Sequence, residues 1–272
     1  MLRRSSRRKA AVASPATTTA PDPFFRARIT QRTETSDDLW SIRVDPGGRF
    51  SFTEGQYATL GLVSSGRRIE RAYSIVSSPY ESELEFFVER VHEGELTPLL
   101  YGLRVGDTLS LRKAAKGRFL FDVATTRRDR LLLCTVTGVA PFISLVRSLE
   151  KDWQEGRFTG DQRLFLIQGA SRSAEFGYRE EIERVAGQVP WLTYVPTVSR
   201  PWEDAGWSGE TGRVDDVIRK HVDRWSLDGA HATAYLCGHP EMIEHGKAIL
   251  GRDRWATHDL RAESYFVPEL VR

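Results

Sequence analysis

The rhythm of the chain changes near residue 125, and that change constrains the fold more than any other feature. Before it, short alternating segments (RARIT, LWSIRV, YATLGLV, RAYSIV, LEFFVERV, TLSLRK) are separated by turn residues such as Pro46-Gly47-Gly48. Runs of that kind with little helical periodicity predict an antiparallel barrel or sandwich. After it, the apolar runs LLLCTV, RLFLIQG, WLTYVPTVS and ATAYLCG alternate with FISLVRSLEKDW, EEIERVA, VDDVIRKHV and PEMIEHGKAIL, which repeat at helical spacing. Strands alternating with helices predict a parallel sheet covered on both faces. The expected architecture is therefore two-domain, β plus α/β: an antiparallel β-barrel over residues 24–124, then a doubly wound parallel-sheet domain over 125–272.

Composition narrows what such a pair of domains can do. A chain of 272 residues, 40% hydrophobic, can bury a full core in each half. The 39 basic residues nearly balance the 37 acidic ones, so the basic excess of a nucleic-acid binder is missing. No apolar run reaches the roughly 18 residues of a membrane-spanning helix, and no membrane association is expected. Cys134 and Cys237 lie far apart in strand-like runs, which suggests neither a disulfide framework nor a metal site. A reducing compartment, the cytoplasm, is the expected location.

The first 23 residues differ in kind. They carry five Lys or Arg before the first acid, Asp22, among Ser, Thr, Ala and Pro, and so little apolar surface predicts a disordered basic tail. A targeting segment and an electrostatic arm remain alternative uses for it.

Four stretches carry chemistry. In Arg71-Ala72-Tyr73-Ser74-Ile75-Val76-Ser77-Ser78-Pro79 a strand holds a cation, a phenol and three hydroxyls; it is either a polar sheet edge or a strand facing a flat, charged ligand. Three strand ends then show small residues where a helix begins: Thr137-Gly138-Val139-Ala140-Pro141-Phe142, Gly169-Ala170-Ser171-Arg172-Ser173 and Cys237-Gly238-His239-Pro240-Glu241-Met242. In an open parallel sheet, ligands bind beyond the carboxyl ends of the strands, where glycine lets backbone approach a phosphate. An arginine among small hydroxyls suits a phosphomonoester.

Taken in order, RAYSIVSSP, Gly94-Glu95-Leu96-Thr97-Pro98-Leu99, TGVAPF and CGHPEM resemble the plant-type ferredoxin–NADP reductase superfamily over roughly residues 24–267. LEFFVERV, LTPLL and Val198-Ser199-Arg200 are most similar to its bacterial ferredoxin/flavodoxin–NADP reductase branch. The resemblance implies FAD held by the barrel and NADP(H) by the second domain. It places Tyr73 on the isoalloxazine, Ser74 near flavin N5, and Arg71 on the FAD pyrophosphate, within a segment that includes Ala72. Gly94, Glu95, Leu96 and Thr97 would form a second pyrophosphate clamp, with Thr97 also able to cap the following helix.

On the nicotinamide side the resemblance assigns Thr137, Gly138 and Pro141 to the dinucleotide turn and Cys237 to the place beside the nicotinamide. The family usually has TGTG here, whereas this chain has Thr135-Val136-Thr137-Gly138. A side chain at Val136 fits poorly at positive φ, so either that residue is ordinary β or the turn is altered. Arg172 matches the arginine for the 2′-phosphate, with Arg179 and Arg200 as nearby candidates, Tyr178 an aromatic for the adenine, and Arg147 a further contact to the 2′-phosphate or pyrophosphate. Near the C terminus, Glu263 matches an acidic active-site position, Tyr265 would cover the isoalloxazine opposite Tyr73, and Phe266 would approach the FAD adenine.

The implied activity is hydride transfer between NADP(H) and FAD and single-electron transfer between FAD and a ferredoxin or flavodoxin, with Ser74, Cys237, Glu263 and Tyr265 at the reacting centre. Arg112, Lys113, Lys116 and Arg118, with Arg67 and Arg68, are either a docking face for an acidic carrier or simply a solvated surface. Two other readings fit the same module: an NADPH-dependent reductase component of an oxygenase, and a non-catalytic flavin-binding electron-transfer subunit.

Overall fold

The structure is a computed structural model and describes residues 22–121 and 127–265. The basic tail reading, the junction at 124/125 and the role expected of Phe266 lie outside those residues.

Strands form where the alternating segments stand: β1 Phe24–Glu34, β2 Leu39–Asp45, β3 Tyr57–Ser64, β4 Arg67–Ser74, β5 Leu84–Glu89 and, after the short helix α1 Thr97–Gly102, β6 Thr108–Arg112. They make a six-stranded antiparallel sheet in the order β4-β3-β6-β1-β2-β5. The sheet curls until its two end strands meet. Ile75, just past β4, bridges to Phe86 in β5, and the Val76 N–H donates to the Glu85 carbonyl at 2.9 Å. Alternate residues Ile29, Trp40, Ile42, Val44, Leu60 and Leu111 fill the interior, each almost fully buried, as a period-two pattern requires.

The second half is doubly wound. β7 (Asp129–Thr135) leads through a 3-10 turn, Val136–Val139, into α2 (Ala140–Gln154). There follow β8 (Arg163–Ala170), α3 (Arg179–Ala186), β9 (Leu192–Val198), the two-residue β10 (Glu210–Thr211), α4 (Val214–Trp225), β11 (Ala232–Gly238), α5 (Pro240–Arg252) and β12 (Leu260–Ser264). All strands pair in parallel, in the order β10-β9-β8-β7-β11-β12. α2 and α3 bury Phe142, Ile143 and Ile182 against one face, and α4 and α5 bury Ile218, Ile243 and Leu250 against the other. The strand order reverses between β7 and β11, which is the switch point where such sheets bind ligands.

The two halves share a core. Leu39, Val76, Phe87, Phe119 and Phe121 from the barrel side pack with Phe142, Val146 and Tyr235 of the α/β half in one buried cluster. Ser77 and Ser78 explain much of the unexpected polarity of the RAYSIVSSP strand. The Ser144 hydroxyl donates to the Ser77 carbonyl at 2.7 Å, and the Ser78 and Ser148 hydroxyls lie 2.8 Å apart. These bonds satisfy polar groups that the apolar junction would otherwise leave unpaired.

Candidate active site

The barrel offers the end of β4 to the junction. β4 is the last strand of its sheet, so the edge running along Arg71, Ala72 and Tyr73 carries backbone groups that no neighbouring strand takes up. Arg71 and Ala72 are exposed, Tyr73 is half-buried against the barrel core, and Ser74 is buried. Burial pushes the Tyr73 phenol well above its ordinary pKa, although the nearby Arg71 charge acts the other way, so this ring stays neutral where it packs against the barrel core.

Arg71 is held by Glu95, its guanidinium 2.8 Å from the carboxylate, and Arg67 grips the same carboxylate. The Glu95 carboxylate is therefore an internal anion on the arginine expected to meet pyrophosphate, and only its backbone suits a clamp. Leu96 is buried in the barrel core and likewise offers backbone alone. Thr97 departs from expectation. Its hydroxyl accepts from Val91 N–H at 3.0 Å and donates to the Val91 carbonyl at 3.1 Å, while the Gly94 N–H also donates to Val91. The side chain neither caps α1 nor points a free donor outward; it closes loop 91–97. The donors left at this place are the backbone N–H groups of Thr97 and Leu99, which have no partner inside the helix; Pro98 between them has none to give.

At the switch point, three segments come together. Gly138 passes against the end of β11, where an added Cβ would sit 2.2 Å from the Cys237 carbonyl oxygen. Gly238, at φ +130°, would carry a Cβ 2.3 Å from the Thr135 hydroxyl. That hydroxyl accepts the His239 N–H at 2.9 Å, so Thr135, not singled out in the sequence, ties the two strand ends. Thr137, Gly138 and Pro141 are all buried there. Val136 settles an alternative left open by the sequence. Its φ is +44°, so it is not ordinary β; the turn is altered to 3-10 and keeps a branched side chain in the left-handed region, at a cost of about 1–2 kcal/mol. Its packing against the main core holds it there.

The last described residues close over this point. The Tyr265 hydroxyl donates to the Thr137 carbonyl at 2.8 Å, its N–H donates to the Gly238 carbonyl at 3.2 Å, and the Cys237 thiol lies 3.7 Å from its oxygen. Glu263, in β12 beside Cys237, accepts the Ser74 hydroxyl at 3.1 Å across the domain junction. Ser74, Cys237, Glu263 and Tyr265 thus form one cluster from β4, β11 and the chain after β12. Burial raises the Glu263 pKa, against the Ser74 hydrogen bond that favours its charge. Burial also pushes the Cys237 thiol up, with Glu263 adding to it, which keeps the sulfur protonated and unsuited to nucleophilic attack.

Beyond the ends of β8 and β9, Arg172 and Arg200 lie side by side, but both face carboxylates. Arg172 pairs with Glu203 at 2.5 Å and Glu175 at 3.2 Å, and Arg200 reaches Glu203 at 3.8 Å. Sequence reasoning passed over Glu203; the signal was the acidic pair Glu203-Asp204 directly after Val198-Ser199-Arg200-Pro201-Trp202.

Two expected nucleotide contacts are placed elsewhere. Arg147 donates through all three guanidinium nitrogens, to Glu181 at 2.7 and 2.9 Å and to Glu85 of the barrel at 2.7 Å. Tyr178 donates its hydroxyl to Glu85 at 2.8 Å and packs edge-on against Phe87. Arg43 joins the same group through Glu85 and Glu81. Arg147 and Tyr178 therefore build a clasp between the halves, with every guanidinium nitrogen of Arg147 engaged by a carboxylate and the Arg147 guanidinium lying over the Tyr178 ring. The cause is Glu85, a carboxylate buried at the junction that needs several partners.

The residues present fit a flavin dinucleotide. An exposed arginine, an outer strand edge, helix-start N–H groups and a neutral half-buried phenol lie along β4 and the start of α1, next to the Ser74 that reaches across the junction, and a second phenol lies at the opposite strand ends. Residues 26–121 match the oxidoreductase FAD-binding domain and residues 132–247 the oxidoreductase NAD-binding domain. Ferredoxin–NADP reductase A of Sorangium cellulosum is 31% identical over 225 residues, 79% of this chain and 78% of the relative. The chain belongs to the ferredoxin–NADP reductase family. Ferredoxin–NADP reductase of Pseudomonas aeruginosa is 28% identical over 84% of this chain and 89% of its own length. A ferredoxin NADP+ reductase from Neisseria gonorrhoeae, solved with bound FAD and NADP, is 25% identical and superposes with a TM-score of 0.77 over 90% of this chain and 99% of that one. As a reductase of this family, the chain is an FAD- and NAD(P)-binding oxidoreductase whose two halves are the two nucleotide-binding domains. No helix among the described residues is long and apolar enough to cross a membrane.

Proposed function

We propose that the chain catalyses electron exchange between NADP(H) and a ferredoxin or flavodoxin through FAD held at the junction of its domains. The observation that carries this reading is the Ser74–Glu263 hydrogen bond beside the Cys237–Tyr265 contact, which gathers four side chains from both domains around one point. Bound FAD would supply hydride exchange at its N5 and single-electron transfer to the carrier.

The protein's own contribution is binding and orientation. Arg71 and the N–H groups at the start of α1 hold the pyrophosphate, Arg71 exchanging Glu95 for it, and Tyr73 provides the flat support for the ring. Ser74 keeps its hydroxyl proton directed at the Glu263 carboxylate, and burial leaves Glu263 ready to take up a proton more easily than an exposed carboxyl. Tyr265 screens the strand-end turn while its hydroxyl stays on Thr137; release of that bond clears the approach to Cys237. Arg172 and Arg200 receive the 2′-phosphate of NADP(H).

For the carrier, the basic face is partly neutralised. Arg112 pairs with Glu70, Arg67 with Glu95, and Arg68 and Lys113 lie over the rings of Phe24 and Phe25. Lys116 and Arg118 are exposed and make no ion pair with another described residue, so they are the charges best placed to steer an acidic partner.

The test is steady-state turnover. The FAD-loaded protein is expected to oxidise NADPH with ferricyanide as acceptor and to reduce a purified ferredoxin or flavodoxin in a salt-sensitive manner. Turnover with ferricyanide but only with an oxygenase component as protein acceptor would replace the carrier assignment; no NADPH oxidation at all would remove the reading.

A further inference from the structure

The loop that reads as the 2′-phosphate seat is already filled with carboxylates. It is formed where Ser171-Arg172-Ser173 leaves β8 and Arg200–Asp204 leaves β9, joined by the Ser199 N–H to the Ala170 carbonyl at 3.0 Å and the Arg200 N–H to the Ser171 carbonyl at 3.1 Å. Glu203 sits between the two arginines, 2.5 Å from Arg172 and 3.8 Å from Arg200. Glu175 takes the other side of Arg172 at 3.2 Å and the Ser171 N–H at 2.9 Å. Asp204 takes the Ser173 N–H at 2.6 Å. Two guanidinium groups and two backbone N–H groups, the donors a phosphomonoester needs, thus each face a resident acid.

We infer that Glu203 is a specificity-determining residue, an internal anion that occupies the place of the 2′-phosphate and competes with it for Arg172 and Arg200. Glu203 is the acid best suited to this role because it alone contacts both arginines, and it rides on the short 3-10 turn Pro201–Glu203, held to the loop through its N–H to the Arg200 carbonyl at 2.9 Å. Glu175 and Asp204, by contrast, hold backbone N–H groups and shape the loop. A 2′-phosphate entering the seat must displace the Glu203 carboxylate and then remains beside it, a like-charge contact. A nucleotide without the phosphate leaves the Glu203 bridge intact. Glu203 therefore narrows the preference for NADPH over NADH that the arginines alone would give; discrimination of this kind is a difference between two affinities.

The inference rests on Arg172 being the 2′-phosphate contact, and the experiment separates the two. Binding of 2′-phospho-AMP and of 5′-AMP to the FAD-loaded full chain is measured by titration calorimetry for the wild type, Glu203→Gln, Glu203→Ala and Arg172→Ala. Both Glu203 variants are expected to bind 2′-phospho-AMP about fivefold more tightly, the scale of an exposed charge pair, with 5′-AMP shifted far less. The gain should shrink at high salt. Loss of 2′-phospho-AMP binding in Arg172→Ala with no gain in either Glu203 variant would overturn the competition while leaving the phosphate site standing. Unchanged binding in Arg172→Ala would overturn both. Weaker 2′-phospho-AMP binding in Glu203→Gln would show that Glu203 orders Arg172 for the phosphate, the opposite of the inference. In turnover, the same variants should lower the KM for NADPH relative to that for NADH, whereas a merely structural defect would move the two together.

Discussion

Arg147→Met is expected to lower the unfolding free energy by about 3 kcal/mol at neutral pH, the lower end of the cost of stranding one partner of a buried ion pair. Glu85 is buried between the halves and takes Arg147 at 2.7 Å, Arg43 at 3.0 Å and the Tyr178 hydroxyl at 2.8 Å. Methionine keeps most of the volume, so the loss is electrostatic, and Arg43 with Tyr178 keeps it from reaching the top of the range. The pH dependence has a definite sign. Burial acts to raise the Glu85 pKa, but the charge and hydrogen bonds of Arg147, with Tyr178 and Arg43, outweigh it and leave the pKa below the ordinary carboxylate value. A depressed carboxylate stabilises the fold above its unfolded pKa, and that stability disappears as pH falls through the folded pKa. Urea unfolding of wild type and variant at about pH 7 and about pH 4 should therefore show a large difference at the higher pH and a smaller one at the lower. A loss under about 1 kcal/mol at neutral pH, the range of an exposed pair, would mean that the clasp contributes little.

Gly138→Ala should be comparably damaging, for a steric reason. The new Cβ would meet the Cys237 carbonyl oxygen at 2.2 Å, its carbon at 2.7 Å and the Gly238 Cα at 3.0 Å. All three are backbone atoms in the ends of paired strands, so no flexible side chain can move aside. Separating β7 from β11 at that point is expected to cost about 3 kcal/mol, high in the range for overpacking. The turn that approaches the nucleotide would shift with it, so affinity for NADP(H) should fall together with the melting temperature. Gly251→Ala is the matching control: nothing lies within 4 Å of a Cβ added there, and the substitution should be neutral or slightly stabilising. Equal behaviour of the two variants would show that the contact at Gly138 is not tight.

The architecture was legible because both halves announce themselves by period. All six segments read as barrel strands became β1 to β6, and the four apolar runs and four helical stretches of the second half became β7, β8, β9, β11 and α2 to α5. Local spacing carries that information. What the residues at the junction touch was less legible, since their partners are far away in the chain. Ser77 and Ser78 meet a helix 67 and 70 residues later, and Tyr178 meets Glu85 across 93 residues. A motif match placed Tyr178 and Arg147 on the nucleotide, but it could not reveal that the buried Glu85 claims both. The cluster of Ser74, Glu263, Cys237 and Tyr265 was named from resemblance, and its members do come together, although Ser74 and Glu263 are 189 residues apart. The Thr97 hydroxyl and the φ of Val136 depend on local loop geometry that residue type alone leaves open.

A flavin dinucleotide lying between β4 and the strand ends of the α/β half would show in the visible absorption spectrum of the purified protein, recorded before and after soaking with FAD and gel filtration. The expected result is a retained two-band yellow spectrum with bound FAD near one per chain. Protein that remains colourless after FAD treatment, while its circular dichroism shows it folded, would contradict flavin binding there.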